Sequence, residues 1–185
     1  MSEEKITVKS NTNQERQEGK LVESLEDKEL GKLAEKYANI SVYDIFDGKI
    51  LSDIPIINTV IALAKSGLNF RDRLYIKKIA YFLHQVGNTT QEQREEFIEK
   101  HCKDRKRFEE ALLLILEQTD NMEKSTLIGK ILKACILGKI ALEDSFALSS
   151  MVNKALWQDL QAMFDGDYTE AIKARLANTG LQTAR

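Results

Sequence analysis

From Lys20 onward, apolar side chains return every third or fourth residue, and the runs between them are broken by residues that start or stop helices. Leu21, Leu25, Leu30, Leu33, Ala34 and Tyr37 have helical spacing, weakened in the middle by Gly31. The stretch Ser41–Phe46 is ambiguous between a strand and a helical turn, and Asp47-Gly48 signals a turn. Pro55 fits the first turn of a helix over the apolar window Ile54–Ala64, with Ser52 or Asp53 as cap and Gly67 as stop. Asn69 can cap the next helix, whose stripe is Tyr75, Ile76, Ile79, Phe82, Leu83 and Val86, ending at Gly87. Thr90 and Gln93 form a capping-box pair ahead of Phe97 and Ile98, and Asp104 can start a helix through Phe108 and the apolar run Ala111–Leu116. Asp120 with Glu123 repeats the cap pattern before Leu127, Ile128, Ile131, Leu132 and Cys135, with Gly138 as stop. A long helix from about Leu142 to Phe164 and a short one near Thr169–Asn178 complete the pattern. No segment beyond Ser41–Phe46 alternates with period two, so the fold expected is all-α: a single compact bundle of seven or eight helices joined by short loops.

The organisation expected is a flexible polar tail over 1–19, an acidic N-terminal helix and connector over 20–47, and a helical core domain over 48–180. The tail carries Asn11-Thr12-Asn13-Gln14 and too few apolar residues to offset the entropy of ordering. With 185 residues, 43% of them hydrophobic, the chain can bury a continuous core without disulfide or metal staples. Two cysteines outside any CxxC spacing and the lack of an apolar run of signal-peptide length lead to an expected cytoplasmic location. The apolar window at 54–64 falls short of the roughly 20 residues a bilayer span requires. Membrane association through that helix is the weakest partner reading.

Charge changes the picture more than composition does. The net charge of −2 conceals a segregated pattern: residues 1–47 carry 7 basic and 11 acidic side chains, residues 48–90 carry 6 and 2. Lys65, Arg71, Arg73, Lys77 and Lys78 form one basic cluster against Asp72 alone. Lys100, Lys103, Arg105, Lys106 and Arg107 form a second against Asp104 alone. On a helical wheel Phe70, Leu74 and Tyr81 share the outer half of their helix with Arg73 and Lys77, opposite the core stripe. A helix apolar on both faces is either buried on two sides or binds a partner. The candidate binding residues are therefore Phe70, Arg71, Arg73, Leu74, Lys77, Lys78 and Tyr81, with Lys103, Arg105, Lys106 and Arg107 from the second cluster. The acidic N-terminal segment is a further candidate to lie across the basic helices and cover them.

Chemistry at a catalytic or metal site is poorly supplied. His84 and His101 are the only histidines; His84 falls on the outer face of its helix, and neither has an orienting partner that spacing would identify. Cys135 sits within an apolar arc, whereas Cys102 has His101, Lys103 and Arg105 near it and is the better candidate for a reactive thiol. Neither GxxxxGK[ST] nor GxGxxG occurs, and Asp165-Gly166-Asp167 lacks the later ligands of a calcium loop. No cofactor and no metal are expected. In the long helix, Ser149 and Asn153 interrupt an apolar arc, which predicts a break near Ser149-Ser150, a satisfied polar pair, or a small polar pocket.

The order Arg71-Asp72-Arg73-Leu74-Tyr75-Ile76-Lys77-Lys78-Ile79, Gln93-Arg94-Glu95 with Phe97, Glu123-Lys124, and Gly138-Lys139-Ile140 before Phe146 resembles a group of small uncharacterised bacterial all-helical proteins, over about residues 50–165. The resemblance implies a helical fold and transfers no activity. Gly138-Lys139-Ile140 followed by Glu143 is also similar to a helical tellurite-resistance-like domain, with Leu137 where that family carries an acidic residue. The function expected is a non-enzymatic protein that binds another macromolecule, a protein first, through the basic and aromatic helix face. The alternative is a nucleic-acid-binding accessory protein using both basic clusters.

Overall fold

A computed structural model describes residues 19–42, 53–64, 67–166 and 169–181. Among these the chain is all-helical, with ten helices: α1 (Lys20–Glu26), α2 (Leu30–Asn39), α3 (Pro55–Leu63), α4 (Phe70–Val86), α5 (Gln91–His101), α6 (Arg105–Gln118), α7 (Met122–Ile136), α8 (Leu142–Lys154), α9 (Trp157–Asp165) and α10 (Glu170–Asn178). Residues 1–18 of the tail expected over 1–19, Ser52, Lys65 and most of the Ser41–Phe46 stretch lie outside the described residues.

Ten helices replace the seven or eight expected because two long runs are split. The run that contains Gly31 divides at Asp27–Glu29 into α1 and α2. The run from Leu142 divides where Ala155 and Leu156 turn extended, with ψ of 150° and 138°, rather than at Ser149-Ser150. Ser149 stays helical and buried, its hydroxyl donating to the Ser145 carbonyl at 2.7 Å. Asn153 binds across to α6, its Nδ2 donating to the Ile115 carbonyl at 2.8 Å and its Oδ1 accepting from the Thr119 hydroxyl at 3.0 Å.

The punctuation read from the sequence mostly acts where expected. Asn69 with Asp72, and Thr90 with Gln93, form reciprocal capping boxes. Asp104 Oδ1 accepts from the Arg107 amide at 3.0 Å, and Pro55 opens α3. The cap of α7 shifts by one residue: Asn121, not Asp120, accepts from the Glu123 amide, leaving Asp120 to pair with Lys124 at 2.8 Å. At the start of α3 the N-cap is Ile54, which offers no side-chain acceptor, and Ser24 Oγ from α1 accepts the Ile56 amide at 3.0 Å instead.

α4 is the central element, packed chiefly between α7 and α2. Its stripe Ile76, Ile79, Ala80, Phe82, Leu83 and Val86 is fully buried, together with Leu21, Leu25, Leu30 and Ala34 from the N-terminal hairpin and Ile128 and Leu132 from α7. Two glycines allow this approach. A Cβ on Gly129 of α7 would lie 2.6 Å from the Phe82 carbonyl oxygen, and one on Gly31 of α2 would lie 2.9 Å from that of Gly87. Gly31, a weak point by helix propensity, is thus the residue that lets α2 reach the end of α4. Among the described residues no helix is long and apolar enough to cross a membrane.

Candidate functional site

The α4 face is not the open basic surface that the wheel suggested. Arg73 is only 4% exposed and donates to the Leu68 carbonyl at 2.6 Å. Lys77 is 6% exposed; its Nζ donates to the carbonyls of Tyr37, Ala38 and Ile40, the last at 2.6 Å, and stands 5.1 Å from the centre of the Tyr81 ring. Lys77 is turned inward because the second flank of α4 is occupied by α2, and Arg73 folds back onto the segment that precedes α4. Leu74 and Tyr81 are half-buried. Lys78, also half-buried, donates to the Glu117 carbonyl at 3.2 Å, and the exposed Arg71 pairs with the Glu117 carboxylate at 3.0 Å. Phe70 is 54% exposed at the first turn. Of the first cluster's described residues, Phe70 and Arg71 alone retain a largely open side chain.

Lys77 belongs to a set of buried charges that cap helices distant in sequence. Arg94 of α5 is 2% exposed and spends its guanidinium on three carbonyls, Leu25, Asp27 and Thr89, each at 2.6 Å. Glu109 of α6, also 2% exposed, accepts from the Gly19 and Val22 amides at 2.5 and 2.8 Å. Lys124 of α7 donates to the Asn153 carbonyl at 3.3 Å, near the end of α8. Carboxylate at a helix N-terminus and cation at a C-terminus is the arrangement the helix dipole favours. Burial works against three of these charges. It lowers the Lys77 ammonium and the Arg94 guanidinium from their ordinary values, and raises the Glu109 carboxyl against the pull of the Val22 and Gly19 amides. These residues hold the fold together and are closed to an outside ligand.

The second cluster sits differently. Lys103, Arg105, Lys106 and Arg107 are all exposed around the α5–α6 corner, together with Lys100 and His101. Arg105 pairs with Glu26 of α1 at 3.0 Å. Asp104, the lone acid of the cluster, is engaged at the α6 cap. Two adjoining depressions open beside this corner and share His101 as a wall. One, of about 270 Å³, runs between α5 and the end of α7, where Phe97, Lys100 and Cys135 meet Leu137 and Gly138. The other, of about 440 Å³, has Phe108, Ala111, Leu142 and Phe146 as its floor and Arg107, Asp104 and Glu143 on its rim. Beneath them runs a chain of rings. Centroid separations are 5.3 Å from His101 to Phe97, 5.9 Å from Phe97 to Phe108 and 6.1 Å from Phe108 to Phe146, the last two edge-to-face.

Sequence reading located the basic rim and missed the apolar floor. Phe97 and His101 stand four apart on one helix, a spacing that could have been used. The pairing of Phe108 with Phe146 joins α6 to α8, and no local pattern carries it.

Nucleophilic chemistry finds little support at the corner. Cys102 is 3% exposed, and burial pushes its thiol up to about 12 in spite of Arg105. Cys135 is buried and its thiol raised as well, again by burial. The electropositive setting expected for Cys102 is present, but loss of solvation outweighs it. Among the described residues no group of three or more His, Cys, Asp or Glu is placed to hold a metal ion.

Neither a family model, a curated protein nor a solved structure matches this chain.

Proposed function

We propose that the protein is a non-enzymatic binding module that takes an acidic, amphipathic segment of another protein at the α5–α6 corner. The observation that carries this reading is the pairing of the phenylalanine-floored depressions around His101, lined by Lys100 and Arg107 as well as by Glu96, Asp104 and Glu143, with the exposed cations Lys103 and Lys106 of the same corner. An apolar hollow rimmed by charge suits a partner helix that inserts one or two apolar side chains and sets carboxylates against the rim. Rim charges of this kind act mainly on the rate of encounter and on choice of partner. The nucleic-acid alternative needs a broad cationic surface, and the burial of Arg73 and Lys77 removes the first cluster's share of it.

The test is fluorescence anisotropy with a labelled helical peptide carrying leucines on one face and glutamates on the other. A control peptide has serine in place of the leucines. Binding of the first peptide, lost with the control and weakened at least about tenfold by the double substitution Lys103→Glu and Arg107→Glu, supports the site. Equal binding by the charge-reversed protein, or no binding at all, overturns it. Preference for a single-stranded oligonucleotide, with affinity falling steeply as salt rises, would move the assignment to nucleic acid.

A further inference from the structure

The ends of α1 and α2 are satisfied largely from other elements. α4, α5, α6, α7 and α10 each carry a side-chain cap at their own N-terminus, whereas α3, α8 and α9 do not. The N-caps of α1 and α2, Gly19 and Glu29, supply no such bond. Their ends are held instead by charges from the core: Glu109 at the start of α1, Arg94 at its end, and Lys77 at the end of α2. Helices of 7 and 10 residues are shorter than the roughly 12–15 that an isolated helix needs in water. Without the core, then, residues 20–39 keep the bond that the Glu29 amide donates to Asp27, at 2.7 Å, but lack the length to stay helical.

We infer that residues 19–42 form a strap, an internal ligand of the α4–α6 surface that folds as it docks and detaches as one unit, while α4 to α8 stay folded. At the Gly31–Gly87 contact backbone meets backbone, and the segment is otherwise held by Leu21, Leu25, Leu30 and Ala34, buried against the core. Ser24 makes the first turn of α3 part of the same unit, since release leaves the Ile56 amide without its acceptor. Detachment bares Lys77, Arg94 and the apolar flank of α4, the basic and apolar face that the closed fold conceals. This inference touches the corner site, which lies on α5 to α8, only through the pair of Arg105 with Glu26.

Hydrogen exchange on the full-length chain, read by mass spectrometry, tests it. In the unsubstituted protein the amides of 20–39 and of the first turn of α3 should open together, with protection at least about tenfold below that of α7. Lys77→Met and Arg94→Lys should each widen that gap by a further five- to tenfold or so, about the effect of losing a cap, with α7 protection unchanged. Equal protection of the strap and α7 in the unsubstituted chain, or equal losses in both on substitution, overturns the inference. The first measurement needs no variant, so it stands even where a substituted chain fails to fold.

Discussion

Gly31 of α2 and Gly87 at the end of α4 meet backbone against backbone, with no room for a Cβ on either. Both have ordinary negative φ, so space, and not conformation, requires glycine here. Intrinsic propensity makes Gly→Ala within a helix favourable by up to about 1 kcal/mol. The contact reverses that sign: Gly31→Ala should destabilise the chain by about 1–3 kcal/mol, the range for overpacking. A urea titration decides it, and a raised midpoint would show that the two helices do not approach this closely.

Asn153 provides a second test of tertiary polar pairing. Its amide joins the Ile115 carbonyl and the Thr119 hydroxyl across α6 and α8. Asn153→Ala removes both bonds and should cost about 0.5–1.5 kcal/mol, the net worth of a hydrogen bond, since the Thr119 hydroxyl and the Ile115 carbonyl keep each other as partners at 2.9 Å. Thermal unfolding of the two chains measures it. An unchanged midpoint would mean that water replaces the amide without loss.

The C-terminal pair α9–α10 carries a pH dependence. Asp159 receives two bonds from Arg175, at 2.8 and 2.6 Å, and this guanidinium holds its carboxyl below the ordinary 3.8. A carboxylate depressed in the folded state adds stability that is present above its unfolded pKa and lost as pH falls through the folded one. Acid titration into the pH region below about 4 should therefore loosen α10 selectively, and Asp159→Asn should abolish the pH dependence of its protection. Amide exchange in α10 that ignores pH in the native chain would count against the pair.

Cys102 gives a prediction about reactivity. With its thiol pushed up to about 12 and its side chain buried, alkylation at neutral pH should be far slower than for a small free thiol and should recover on unfolding in denaturant. Time-resolved labelling with iodoacetamide reads both states. Fast labelling of the native chain would restore Cys102 as a candidate nucleophile.

The elements were legible because their signals are local. Capping boxes at Asn69 and Thr90, the Asp104 cap and the stop at Gly138 each involve residues within a turn of one another, and each acts as read. Where the reading slipped, a local rule was overridden at a distance. Asp120 lost the α7 cap to Asn121 and took Lys124 as its partner, while Ile54 left its helix to be capped by Ser24 from another element. The basic corner at Lys103–Arg107 could be seen as a run of charge. Its apolar floor could not, because Phe97, Phe108 and Phe146 come from three helices.

Sequence by itself determined that the described residues are all-helical, the starts of most of their helices, and a segregation of charge between an acidic N-terminal part and basic helices. Tertiary structure alone decided what that charge does. Arg73, Lys77 and Arg94 look like solvated cations in any single-helix view. Lys77 and Arg94 are buried because neighbouring helices end in backbone carbonyls that need donors, and a cation on an adjacent helix meets that need; Arg73 instead turns back onto the Leu68 carbonyl just ahead of its own helix. The periodicity of one helix reports which side faces a core, but it cannot report how many sides do; for α4 there are two, and the second is closed by α2.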